Sequence, residues 1–229
     1  MSSLTVRAEL ESLLRAEGFA HALPSRTVLE NPGSERLALG IPILDVRLGG
    51  GVPVGAVTEV TGVPSSGRTG LVLALLAQVT GRQELAVYVD ATDAFDPWSA
   101  ARGGVGLSRV LWVRCRGQVE TAFKAADAVV RGGGARVVVL DLAGASGSRL
   151  RRMPVAAYLR LQRAVERTPT ALVILADQGL AGTAAAVTIR LSRARAVWVG
   201  RHPACRLLSH LGHAPAVIGG RGAVARRAG

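Results

Sequence analysis

The stretch VTEVTGVPSSGRTGLVLALLAQVT, residues 57–80, decides the fold. Its first six residues, VTEVTG, read as a short buried strand entering a glycine turn. Residues 68–80, RTGLVLALLAQVT, read as a helix with a wide apolar face, which Gly81 ends. Between them lies Gly62-Val63-Pro64-Ser65-Ser66-Gly67-Arg68-Thr69, in the strand-to-helix setting that a phosphate loop requires. In such a loop glycines let backbone N–H groups turn inward, the helix N-terminus favours anionic charge, and a lysine reaches the outer phosphates. Gly62, Gly67 and Thr69 keep the spacing, but Arg68 stands where the lysine is expected. Arginine keeps the charge and forks onto phosphate oxygens, yet its planar guanidinium is bulkier than an ammonium. The turn therefore reads as a degenerate nucleotide site, with a turn that merely joins strand to helix as the alternative.

Outward from this turn the pattern alternates. LAVYVD (85–90), VLWVRC (110–115), ARVVVLDLAG (135–144) and ALVILAD (171–177) read as strands, and QVETAFKAADAVVRGGG (118–134) and residues 154–168 read as helices. Continuous apolar strands alternating with helices imply an α/β fold with a largely parallel central sheet flanked by helices. VTIRLSRARAVWVG (187–200), with its alternating arginines, predicts a hairpin, so an antiparallel edge is expected after residue 185. The lead-in LALGIPILDVRLGGGVPVGAV reads as loop-rich. Leu4, Leu10, Leu13 and Leu14 share one face of an expected helix over residues 4–17. The expected organisation is an N-terminal helix and linker at 1–35, a core at 36–214 and a flexible basic tail at 215–229.

Three acids are candidates for nucleotide chemistry. Asp141, after the buried run Val137–Leu140, is placed to help hold a magnesium ion. Asp90 and Asp93 flank the end of the 85–90 strand, and either could orient a water. Trp98 reads as a core residue, with stacking on an adenine edge as the alternative. His202, His210 and His213 lie near Cys205, but their spacing matches no standard zinc pattern.

The charge is unevenly placed. Residues 1–144 carry thirteen Arg and one Lys against fourteen acids, whereas residues 145–229 carry fourteen Arg against Glu166 and Asp177, so the whole net charge of +12 lies in the C-terminal third. Such asymmetry points to an anionic partner, either nucleic acid or an acidic protein face, against the alternative of a solvated basic surface. The candidates for phosphate contact are Arg149, Arg151, Arg152, Arg160, Arg190, Arg193, Arg226 and Arg227. Contacts of this kind predict weak, nonspecific DNA binding with steep salt dependence. No apolar run is long enough for a membrane span, the N-terminus lacks the apolar region of a signal peptide, and two cysteines give no disulfide framework, so a cytoplasmic, nucleoid-associated protein is expected.

In order and spacing these motifs resemble the RecA family from about Leu37 to Val199. SERLALGIPILDVRLGGGVPVGAVTEVTGVPSSGRTGLVLALL resembles its lead-in and phosphate loop, YVDATDAFDP (88–97) the segment with the catalytic glutamate, ARVVVLDLAG the second acidic motif, and TALVILADQ the strand ending in a sensor glutamine, here Gln178. The resemblance implies a RecA-like phosphate-loop fold, with ATP and Mg as the cofactor of the parent site. The chain departs from that pattern where Thr92 falls on the glutamate position, where Arg68 replaces the lysine, and where a short GLAGTAA link follows Gln178. Among RecA-like proteins the PSSGRT variant and the short link are similar to the ImuA family, accessory proteins of bacterial mutagenic translesion synthesis. That resemblance implies a non-recombinase partner of an ImuB-like polymerase relative, an error-prone C-family polymerase and RecA. An active RecA-paralogue ATPase in recombinational DNA repair is the alternative.

Overall fold

The computed structural model describes residues 35–192 and the backbone of three further strands at 195–199, 207–212 and 215–219. The elements run β1 (Arg36–Leu37), α1 (Pro42–Arg47), β2 (Val52–Pro53), β3 (Val57–Gly62), α2 (Arg68–Gly81), β4 (Ala86–Asp90), α3 (Pro97–Arg102), β5 (Val110–Arg114) and α4 (Val119–Gly132). They continue with β6 (Val137–Asp141), α5 (Gly147–Arg152), α6 (Val155–Val165), β7 (Ala171–Ala176), β8 (Val187–Leu191), β9 (Arg195–Val199), β10 (Leu207–Gly212) and β11 (Pro215–Gly219).

The main sheet has the order β11-β8-β3-β7-β6-β4-β5. Its strands from β8 to β5 are parallel, and β11 closes one edge antiparallel to β8. This is the expected α/β architecture of RecA-like type. Every residue of β3, β4, β6 and β7 is buried, because helices cover both faces. Alternate side chains feed two cores. Val60, Tyr88, Val139 and Val173 pack with α2 and the lead-in on one face. Val89, Val138, Leu140 and Ile174 pack with α4 and α6 on the other. In α4 the buried residues Val119, Ala122, Phe123, Ala126 and Val130 recur at three- and four-residue spacing, so one face of the helix meets the sheet. Phe123 meets Tyr158 of α6 edge-on, with ring centroids 5.0 Å apart.

Two expectations are corrected. The segment 187–200 is not a hairpin: β8 runs parallel beside β3, and β9 pairs with β10 in a separate two-stranded sheet. Alternation of inward Val187, Ile189 and Leu191 with outward Arg190 marks a strand but carries no information about its direction. The flexible tail does not begin at 215, because Pro215–Gly219 is the strand paired with β8. Within the loop-rich lead-in Pro42 opens α1, and Asp45 fastens the preceding turn by accepting from the Leu39 N–H at 2.7 Å and the Gly40 N–H at 3.0 Å. The helix expected at 4–17 and the side chains of His202, Cys205, His210 and His213 lie outside the described residues.

Candidate functional site

The site is built where β3 meets α2. A Cβ on Gly62 would run into Ser66 Oγ and come within 2.7 Å of the Leu191 carbonyl oxygen, so only glycine fits between the turn and β8. Gly67 caps α2 from the left-handed region at φ 90°. Ser65 is left-handed too, at φ 64°, a conformation that costs about 1–3 kcal/mol for a non-glycine residue and that clusters at ligand clamps. The Ser66 side chain is buried within the turn, and its hydroxyl has no hydrogen-bond partner. Pro64, Ser65 and Thr69 are exposed.

Arg68 does not project into solvent. It is 9 % exposed, donates through Nη1 to the Gly62 carbonyl oxygen, and pairs with Asp177 Oδ1 at 2.6 Å. Asp177 directly follows β7, the sheet neighbour of β3, so the parallel register brings the two together. Its carboxylate also accepts from the Gly144 N–H at 3.2 Å, in the loop after β6.

Asp141 ends β6 beside Asp90 at the end of β4. It is buried and accepts from the Tyr88 hydroxyl at 2.5 Å and the Ala143 N–H at 2.8 Å. Burial pushes its carboxyl up from the usual 3.8 to about 6, against the opposing pull of those two hydrogen bonds. The Tyr88 phenol is raised as well, chiefly by burial and then by the Asp141 charge.

Neither expected water-orienting acid is free. Asp90 is fully buried and accepts from the N–H groups of Thr92 and Ala94 at 3.1 Å, from Phe95 at 2.9 Å and from Trp112 Nε1 at 3.1 Å. It fixes the loop after β4. Asp93 pairs with Arg114 at 3.1 Å, and that guanidinium lies 4.8 Å over the Trp112 ring. Thr92 at the glutamate position donates its hydroxyl to the Ala143 carbonyl oxygen at 3.1 Å. Gln178 is exposed. Trp98 is 82 % exposed, which corrects its reading as core. The turn keeps the backbone shape of a phosphate cradle, but Arg68 and Asp141, the groups that would meet ATP and Mg, are both engaged by protein partners. To meet ATP and Mg, Arg68 would exchange Asp177 and Asp141 would exchange Tyr88 for the ligand.

One residue of the neighbourhood escaped the sequence reading. Glu59, in the middle of β3 and 2 % exposed, accepts from the Leu180 N–H at 2.6 Å and the Ala181 N–H at 2.8 Å. It fastens the short link between β7 and β8. An acid inside VTEVTG, a run otherwise suited to a buried strand, was the available signal.

Among the described residues the candidate arginines are spread over α5, α6 and β8. Arg149, Arg151 and Arg152 sit together and exposed on α5, with Arg149 donating to the Gly117 carbonyl oxygen. Arg160 lies on α6, 3.8 Å from Asp127, and Arg190 projects from β8, which β3 and β7 separate from β6. Arg193, Arg226 and Arg227 lie outside the described residues. Among the described residues no helix is long and apolar enough to cross a membrane.

The family model of the RecA N-terminal domain matches residues 30–150, which hold the glycine turn, the loop after β4 and Asp141. Protein RecA of Aquifex pyrophilus is 32 % identical over 181 residues, covering 72 % of this chain and 51 % of that protein. Protein RecA of Crocosphaera subtropica is 39 % identical over 107 residues, covering 47 % of this chain and 30 % of that protein. This chain thus spans about half the length, or less, of these relatives. With more than half of its residues matched by that domain, and with the phosphate turn, β4 and β6 in the corresponding order, the chain belongs to the RecA family.

Proposed function

We propose that this chain is a non-recombinase RecA-family accessory protein of SOS-induced translesion DNA synthesis and mutagenesis, one that works by protein–protein interaction. Its partners on this reading are an ImuB-like polymerase relative, RecA and an error-prone C-family polymerase. Nonspecific DNA contact is weak, and the protein works in the cytoplasm at the nucleoid. The observation that carries the reading is the end of β4. Asp90 is saturated by four N–H donors, Asp93 is paired with Arg114, and Thr92 has no carboxylate, so no acid there is free to activate a water. General-base positioning of the nucleophile contributes about 10²–10⁴-fold to such reactions, and its loss leaves a RecA-shaped body suited to binding rather than turnover.

The test is a paired experiment on the purified full chain. ATP turnover is measured with and without RecA and DNA, and complex formation with the ImuB-like protein and with RecA is followed by pull-down and size exclusion. The expected result is negligible turnover together with a complex. Absence of any complex sinks the proposal. DNA-stimulated hydrolysis that Asp141→Asn abolishes would install the alternative, a RecA-paralogue ATPase of recombinational repair.

A further inference from the structure

The phosphate turn and its cation are separate features in this chain. The turn keeps its shape, with Gly62 hemmed in by Ser66 and β8 and with Ser65 and Gly67 held left-handed. The cation has turned back onto protein. Arg68 is held from two sides, by the Gly62 carbonyl oxygen and by Asp177 Oδ1 at 2.6 Å. Asp177 is anchored in turn by the Gly144 N–H at 3.2 Å. The Arg68 side chain is 10 % exposed and that of Asp177 is 40 % exposed, so the acid is the more solvent-accessible member of the pair.

We propose that Asp177 is an internal anion of the phosphate loop, a latch that holds Arg68 and that a polyphosphate must displace to bind. This rests on reading the site as non-hydrolytic and adds what controls its occupancy. Three observations bear on it. The ion pair joins the loop's only cation, Arg68, to an acid delivered by the neighbouring strand. A second carboxylate–amide contact fixes that acid in place. The Ser66 hydroxyl is buried in the same turn with no partner, a group that a phosphate oxygen would satisfy. Two anions compete for one guanidinium, and the intramolecular one holds the advantage of proximity. The ligand class is polyphosphate, whether free or carried by a nucleotide.

The experiment is calorimetric titration of the full-length wild type and of Asp177→Asn with tripolyphosphate, and in a second arm with ATP. Asparagine keeps an acceptor for the Gly144 N–H and removes the charge. The expected result is weak binding by wild type and at least a tenfold gain in Asp177→Asn, in one or both arms. A gain in both assigns the site to the phosphates alone, and a gain with ATP only assigns it to a nucleotide. Adding Arg68→Ala to the variant should erase the gain. Should Asp177→Asn fail to fold by circular dichroism, Asp177→Ser serves in its place. Equal affinity in wild type and variant overturns the latch, as does a gain that survives Arg68→Ala. Turnover by the unaltered chain, by contrast, bears on the functional proposal.

Discussion

At the scale of single residues, Asp141 is the group whose placement conflicts most with its charge. Its carboxyl is raised from the usual 3.8 to about 6 because burial disfavours the ion. Between those two values the folded chain holds a proton that the unfolded chain has released. The stability this group contributes is therefore full below about pH 4 and lost as the pH climbs through about 6. At pH 8 the buried charge opposes folding by about 3 kcal/mol at most. Asp141→Asn is expected to raise the melting temperature at pH 8 by roughly 2–8 °C, and the gain should shrink towards pH 5. Thermal melts of wild type and variant at the two pH values check this; a loss at both would mean that the carboxylate is anchored as an ion.

At the scale of elements, Glu59 shows what one buried acid does for its surroundings. It reaches from β3 across to the amides of Leu180 and Ala181 and so sets the path from β7 to β8. Glu59→Gln keeps an acceptor but removes the charge, weakening bonds that are charge-assisted by about 1 kcal/mol. Hydrogen exchange in peptides covering 177–186 should quicken by about fivefold, with exchange in β6 unchanged. Unaltered exchange at Leu180 and Ala181 would show that the link is held by its packing. The central strands were legible in the sequence because burial on both faces writes each as an unbroken apolar run, as in Val137–Leu140 and Ala171–Ala176. The pairing of β8 was not, since direction and partner are decided by the crossover that delivers a strand. The glycine turn was legible for its shape, because Gly62 and Gly67 answer local steric demands. Where Arg68 points was not, since its partner Asp177 is far along the chain and becomes a neighbour only through the β3–β7 register.

At the scale of the whole molecule, the charge asymmetry and the fold disagree in an informative way. The C-terminal third carries the entire net charge of +12, yet its described arginines are divided between α5, α6 with the turn after it, and β8. A divided set makes few simultaneous phosphate contacts, which favours weak binding without sequence choice. Affinity for single-stranded DNA is expected to fall sharply between about 50 and 200 mM salt. Replacing Arg149, Arg151 and Arg152 together by alanine should flatten the log–log salt slope by about 2. Fluorescence anisotropy across a salt series measures both quantities, and an unchanged slope would remove α5 from the DNA-contacting surface.

The buried phenol of Tyr88 has an optical consequence. Tyr88 and Tyr158 are the only tyrosines of the chain. Burial raises both, Tyr158 to about 12 and Tyr88 as the hydroxyl bonded to Asp141. An ordinary tyrosine ionises near pH 10. The phenolate absorbance band of the native protein should therefore stay dark through that range and appear in one step when alkali unfolds the sheet. Ultraviolet absorbance becomes a label-free gauge of whether both faces of the sheet give way together, since Tyr88 reports one face and Tyr158 the other.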